Sequence, residues 1–374
     1  MQQQNKNSEF EGFCYSGERF ADLQMLRYRL NGFESLSLRQ KLYVYYLSKA
    51  TLAGRDITTD QFGFYNLDIR KVLEAVYVNY QGNKECEDFI AMTIYLKRIW
   101  FSNGIYHHYG SEKFAPEFSP AFLLDAMKSI EPSLLPLAKG ETVDGLFDRL
   151  KSAIFDHSFL PKKVNKADGC DLVATSACNF YHNVSQHEVE DYYSSLKATV
   201  DKNPPSFGLN SRLVKQNGEL IEQVWKIDGM YSKAIEIIVS YLRQAAEYAE
   251  NEQQQKIISL LISYYQTGDL RVFDKYSIEW LKEQDGRIDF INGFIEVYND
   301  PLGVKASWEG IVEYKDLVAT RRTRTISDNA QWFEDNSPVD SRFKKKIVKG
   351  VTANVVCAAM LGGDEYPSTA IGIN

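Results

Sequence analysis

Arg287-Ile288-Asp289-Phe290-Ile291-Asn292-Gly293-Phe294-Ile295-Glu296-Val297-Tyr298 is dense in β-branched and aromatic residues and lacks helical spacing. With Gly286 before it and Asn299-Asp300-Pro301 after it, the stretch predicts a strand. Its surroundings have a different period. Immediately upstream, 233–250, 252–266 and 270–282 are amphipathic and predict three helices joined by tight turns. Further upstream, apolar positions recur at helical spacing over 36–53, 67–80 and 89–100, and an aromatic, Gly-containing segment covers 102–118. Ser185 with Glu188 three residues on is a capping box, which predicts a helix start. Pro204-Pro205 ends that region, because proline cannot continue a helix. After Trp308 the reading returns to helix, and 362–374 reads as loop turning into strand. Strands are the minority, so the fold class is α+β: mostly helical, with a small β-core. Phe294 and Tyr298 read as core residues of that sheet.

The chain has 374 residues, 44% of them hydrophobic and 13% aromatic, enough for a sizeable core and two or three domains. A net charge of −7 argues against nucleic acid, which demands a clustered basic surface. Arg321-Arg322-Thr323-Arg324 and Lys344-Lys345-Lys346 are short, lie among acidic residues and read as solvated faces. The first residues, Met1-Gln2-Gln3-Gln4-Asn5-Lys6, have no apolar h-region. No run reaches the roughly 18 apolar residues of a membrane span. Cys14, Cys86, Cys170, Cys178 and Cys357 are odd in number and scattered, so free thiols in a reducing, cytoplasmic setting are expected.

No catalytic motif stands out. His107-His108 invites a metal, but adjacent residues point in different directions, and H-E-x-x-H is absent from these residues. Cys178, His182 and His187, with Cys170 as a fourth on paper, have ligand chemistry, but the helix start at Ser185 falls inside the group. Asn183-Val184-Ser185 fits a glycosylation sequon without a secretory signal to support it. Gly362-Gly363 reads as a turn, since phosphate and dinucleotide loops require more glycines at fixed spacing.

Several longer segments, in order along the chain, carry a family resemblance. Gly293-Phe294-Ile295-Glu296-Val297-Tyr298-Asn299-Asp300-Pro301-Leu302-Gly303 resembles G-F-I-E-x-Y-x-D-P-x-G of the dipeptidyl peptidase III family. Trp308-Glu309-Gly310 is similar to its aromatic-Glu-Gly, and Asn210-Ser211-Arg212-Leu213-Val214-Lys215 to its N-T-R-L-F-K. Trp100-Phe101-Ser102-Asn103-Gly104, with Lys113-Phe114-Ala115-Pro116, looks like the bacterial branch. Gly372-Ile373-Asn374 looks like the start of G-I-N-x-P-N.

The resemblance implies a two-lobed zinc exopeptidase that removes dipeptides from the N-termini of short peptides bound in the cleft between lobes. It implies 1–30 as a flexible lead-in, 31–309 as the lower lobe around the β-core, 310–360 as the first helices of the upper lobe, and 361–374 as a return to the β-core. Ile311, Val312, Leu317, Ile347, Val351, Val355 and Val356 would then lie on helix faces awaiting a partner. The family's H-E-x-x-G-H and E-E-C-R-A-E supply zinc, and neither occurs here. The chain therefore reads as the N-terminal portion of such a protein, with no catalytic residue and no zinc of its own, inactive alone. In the family the substrate adds as a strand to the β-core. Asp289 matches the acid near the peptide's amine, Asn374 a residue that grips the peptide, and Tyr109 an aromatic of the cleft. Ile291, Asn292 and Gly293 follow as its strand neighbours, with Ile291 where eukaryotic members carry Tyr. Partners are short peptides, without nucleic acid or membrane, and the full-length protein is expected to be a monomer. The alternative is a non-catalytic peptide-binding protein.

Overall fold

The computed structural model describes residues 12–200, 202–351 and 353–367. A hairpin of β1 (Ser16–Phe20) and β2 (Leu23–Leu26) precedes the helices α1 (Leu38–Ala53), α2 (Arg55–Gln61), α3 (Asn66–Asn79), α4 (Glu87–Ser102), α5 (Pro120–Lys128) and α6 (Val143–Phe155). Next come β3 (Tyr181–His182), α7 (Gln186–Ala198), β4 (Ser211–Gln216) and β5 (Glu219–Val224). The run α8 (Ser232–Ala246), α9 (Glu252–Thr267) and α10 (Leu270–Lys282) leads into β6 (Ile288–Glu296) and β7 (Ser307–Lys315). Finally α11 (Leu317–Asp328) and α12 (Ala330–Asn336) precede β8 (Val356–Gly363). The fold is thus α+β, with the helices in the majority.

The helix starts follow from their caps. Ser37 and Ser185 each accept the N3 amide and receive the reciprocal side chain, Gln40 for α1 and Glu188 for α7. Burial then divides the helices into two cores. One packs α3–α6 around Leu73, Met92, Leu96, Ile99, Phe118, Leu146 and Leu150. The other packs α1 and α7–α10 on the inner face of the sheet β6–β7–β8. Trp225, Phe294, Tyr265 and Trp308 form its centre, with the Phe294 ring 4.7 Å from that of Trp225. The corner between α1 and α2 comes so close to β7 that a Cβ at Gly54 would lie 2.2 Å from the Trp308 ring.

The predicted strand is β6, and it pairs antiparallel with β7, which pairs antiparallel with β8. Three expectations are corrected. Residues after Trp308 continue in β7 to Lys315, and helix resumes only at Leu317. β7 is buried on both faces almost throughout, so its Ser-Trp-Glu-Gly-Ile-Val-Glu-Tyr-Lys has no clean alternation to reveal it. Ile311 and Val312 are accordingly buried sheet residues, whereas Leu317, Ile347 and Val351 are exposed. Val356, placed in a helix by sequence, opens β8. Tyr298 lies beyond the end of β6 and is 75% exposed, while Phe294 is fully buried.

Between β7 and β8 the chain makes an excursion through α11 and α12 whose ends meet. The Asp316 amide donates to Val355 O at 2.8 Å, and the Thr320 and Thr323 hydroxyls bond to the returning chain at Val355 and Ala353, just before β8.

Candidate peptide-binding site

Side chains alternate across a strand, so register decides which residues share a face. Asp289 pairs with Glu313, Ile291 with Ile311, and Gly293 with Glu309; across β7, Ile311 faces Leu361 and Glu309 faces Gly363. Asp289, Ile291, Gly293, Glu309, Ile311, Glu313 and Leu361 thus share the outer face. Phe290, Phe294, Trp308, Val312 and Tyr314 belong to the inner core. Asn292 points inward too, where its Oδ1 accepts the Tyr265 hydroxyl at 2.6 Å.

The outer edge of β6 is taken. Glu250 accepts the Ile288 amide, Gln254 donates to the Ile288 carbonyl, and the Tyr276 hydroxyl bonds to the Asn292 backbone. On the far side, β8 has no further strand beside it among the described residues.

The outer face is acidic. Asp289 Oδ1 accepts the Trp280 indole N–H at 2.9 Å and the Phe290 amide at 2.7 Å. Burial nonetheless raises its pKa above the ordinary carboxylate value. Glu313 is pushed up to about 7 by burial and then by Asp289 and Glu365. Glu309, 2% exposed, is pushed up to about 9 by burial, helped by Glu365, Asp364 and Glu296. Its Oε2 is buried without a hydrogen-bond partner. Burial also raises Glu296 and Asp364. Asp364 is held by both Asn299 contacts at 2.9 Å and lies near the buried Lys163, which lowers its pKa. Like charges in one low-dielectric site cannot all ionise, so the cluster stores protons and attracts cations.

The segment carrying Tyr109 meets the sheet at the end of β8. The Tyr109 ring lies 4.6 Å from that of His108, and Phe101 links His108 (5.2 Å) to Tyr366 (6.1 Å). Tyr109 itself is 75% exposed. The structure therefore brings Asp289, Ile291 and Gly293 onto one face with the acidic cluster, and leaves Asn292 on the opposite face. Asn374 lies outside the described residues. Sequence reasoning missed Glu296, Glu313, Asp364 and Glu365 and gave Glu309 no role. The four-residue spacing of Glu309 and Glu313 on one strand face was the available signal.

The residues suggested for metal do not fit one. His107 Nδ1 accepts the Tyr109 and Gly110 amides, and its ring stacks on His108. Cys178 is buried with its thiol pushed well up, His182 stacks on Phe64, and His187 faces Asp191 at the surface. Among the described residues, no three His, Cys, Asp or Glu converge to hold an ion. Nor is any helix among them long and apolar enough to cross a membrane.

Residues 176–350 match the model of peptidase family M49. The chain is similar to the dipeptidyl peptidase III family over most of its length. Among its relatives are dipeptidyl peptidase 3 of Dictyostelium discoideum, 23% identical over 85% of this chain and 48% of that protein, and of Homo sapiens, 22% identical over 84% and 46%. The fold is similar to that of DPP III from Caldithrix abyssi, with a TM-score of 0.61 and 18% identity over 89% of this chain and 50% of that one. The chain spans about half the length of the relatives it matches.

Proposed function

We propose that this chain carries the peptide-binding lobe of a zinc-dependent, cytoplasmic exopeptidase that releases dipeptides from the N-termini of short peptides. The observation that carries this reading is the buried, unpartnered Oε2 of Glu309 within an acidic sheet face. A peptide's terminal ammonium would offset the burial that keeps Glu309 protonated, so that on binding the acid ionises and accepts a charge-assisted hydrogen bond. The peptide lies along the sheet as an added strand, so backbone bonds supply affinity with little side-chain preference. Asp289, Glu309 and Glu313 serve the amine end, and Tyr109 lines the approach. Zinc belongs to the whole peptidase; by this reading the 374 residues alone bind peptide without cutting it.

The test is fluorescence anisotropy of a tetra-alanine peptide labelled at its C-terminus, with a free or an N-acetylated amine. Acetylation is expected to weaken binding at least about tenfold, the value of one charge-assisted bond. Equal affinity of the two forms overturns the amine-recognition reading. A dipeptidyl-naphthylamide assay reports on catalysis: chelator-sensitive turnover by this chain refutes its inactivity.

A further inference from the structure

The Trp100-Phe101-Ser102-Asn103-Gly104 segment has no part in the acidic face, yet it touches its far end. α4 is followed by Asn103, which takes the left-handed conformation, φ 55° and ψ 30°. Asparagine, aspartate and glycine tolerate that region best. The residue is 7% exposed, and its side-chain amide donates twice: to Gly363 O at 3.2 Å and to Tyr366 O at 2.8 Å. Both donors of one buried amide are thus committed to carbonyls that bracket Asp364 and Glu365. The charges of those two residues bear on Glu309.

The anchor is itself rigid. A Cβ on Gly104 would sit 2.1 Å from Asn66 Nδ2, and Asn66 Oδ1 accepts the Ile105 amide at 3.3 Å. On the other side, the Asp364 amide donates to Trp308 O at 3.1 Å, tying the same turn to β7. The turn at 363–366 is therefore held between the helical core and the sheet by Asn103 on one side and Trp308 on the other.

We propose that Asn103 is a positioning residue. It fixes the turn at the end of β8 and, through that turn, the Asp364 and Glu365 carboxylates that act on Glu309, the acid placed at the amine of a bound peptide. This role rests on the peptide-binding reading. Asn103→Asp keeps size and backbone tolerance but replaces the donor with an acceptor facing two carbonyls. Asn103→Gly keeps the backbone conformation and removes the amide altogether. Two readouts separate the claims. Amide hydrogen exchange over 356–367 in the full chain reports the clamp: both variants are expected to speed exchange there at least about tenfold, with the α8 and α9 amides unchanged. Anisotropy with the free-amine tetra-alanine peptide reports the consequence: both variants should weaken binding about tenfold. Unchanged exchange overturns the clamp. Faster exchange with unchanged affinity overturns the positioning role. A wild-type chain that binds neither peptide form overturns the functional reading and the positioning role with it, leaving the clamp to be decided by exchange alone.

Discussion

Replacing Glu309 by glutamine removes an acid that the fold keeps protonated. The group rises from 4.5 to about 9 on folding, because burial and the carboxylates of Glu365, Asp364 and Glu296 disfavour its charge. Between those values the folded chain holds a proton that the unfolded chain has released. The unfolded state binds fewer protons, so stability falls as pH rises across this window and levels off above it. At about 1.4 kcal/mol per pH unit, the loss between pH 5 and pH 8 is bounded by roughly 4 kcal/mol; coupling to neighbouring acids brings it to about 2 kcal/mol. Glutamine titrates nowhere and keeps the shape of the neutral acid. Glu309→Gln is expected to match wild type near pH 4.5 and to exceed it by about 2 kcal/mol at pH 8. Urea unfolding followed by circular dichroism at both pH values, with unchanged m-value, measures this. A variant less stable than wild type at pH 8, or equally displaced at both pH values, refutes the assignment of a buried proton to Glu309.

Phe294→Ala should cost about 3–5 kcal/mol, since Phe294 is fully buried against Trp225 and Tyr265; a urea-measured loss below about 1 kcal/mol would contradict the placement of the core. Lys305 is fully buried, donates to Tyr193, Gly208 and Ser211, and is lowered to about 8. Between 8 and its ordinary 10.5 the unfolded chain binds more protons, so stability should rise with pH over that interval. Lys305→Met should flatten that rise in urea titrations, and a persisting rise would assign it elsewhere. Ile291→Tyr should tighten binding of the tetra-alanine peptide several-fold, because the outer face at Ile291 then gains a phenol donor; unchanged affinity would remove Ile291 from the peptide's path.

The strand β6 and the helices α1, α3, α4, α7, α8, α9 and α10 were readable because each buries one face and advertises the period of that burial. Burial along β6 alternates from Ile288 to Asn292, and its β-branched and aromatic content marks it as a strand. β7 is covered on both sides, and its mixed polar and apolar residues follow neither the period of a strand nor that of a helix. β8 hides for another reason: its Val356-Cys357-Ala358-Ala359-Met360-Leu361-Gly362-Gly363 is small and weakly patterned. The site was half visible. Asp289 and Ile291 are marked by the motif resemblance, but the meeting of Glu309 with Glu365 and Asp364 depends on the β7–β8 register, a long-range pairing absent from the one-dimensional pattern. Asn103 acts across 260 residues of sequence, through two carbonyls that any residues could have supplied.

The chain leaves β7 at Lys315 and re-enters β8 at Val356, which stand opposite each other in the ladder. Topologically, everything in between is the loop of one long hairpin. Among the described residues the sheet draws no strand from it, so its register is indifferent to what that loop contains. Splicing out 317–354 and closing the gap with Asn-Gly would leave a short antiparallel connection of a kind the chain favours. On loop-entropy grounds alone such a chain would close more readily, by roughly 2–3 kcal/mol for a roughly twentyfold shorter connection. The β-core could thus be held constant while one helical insert is exchanged for another, like a handle fitted with different tools.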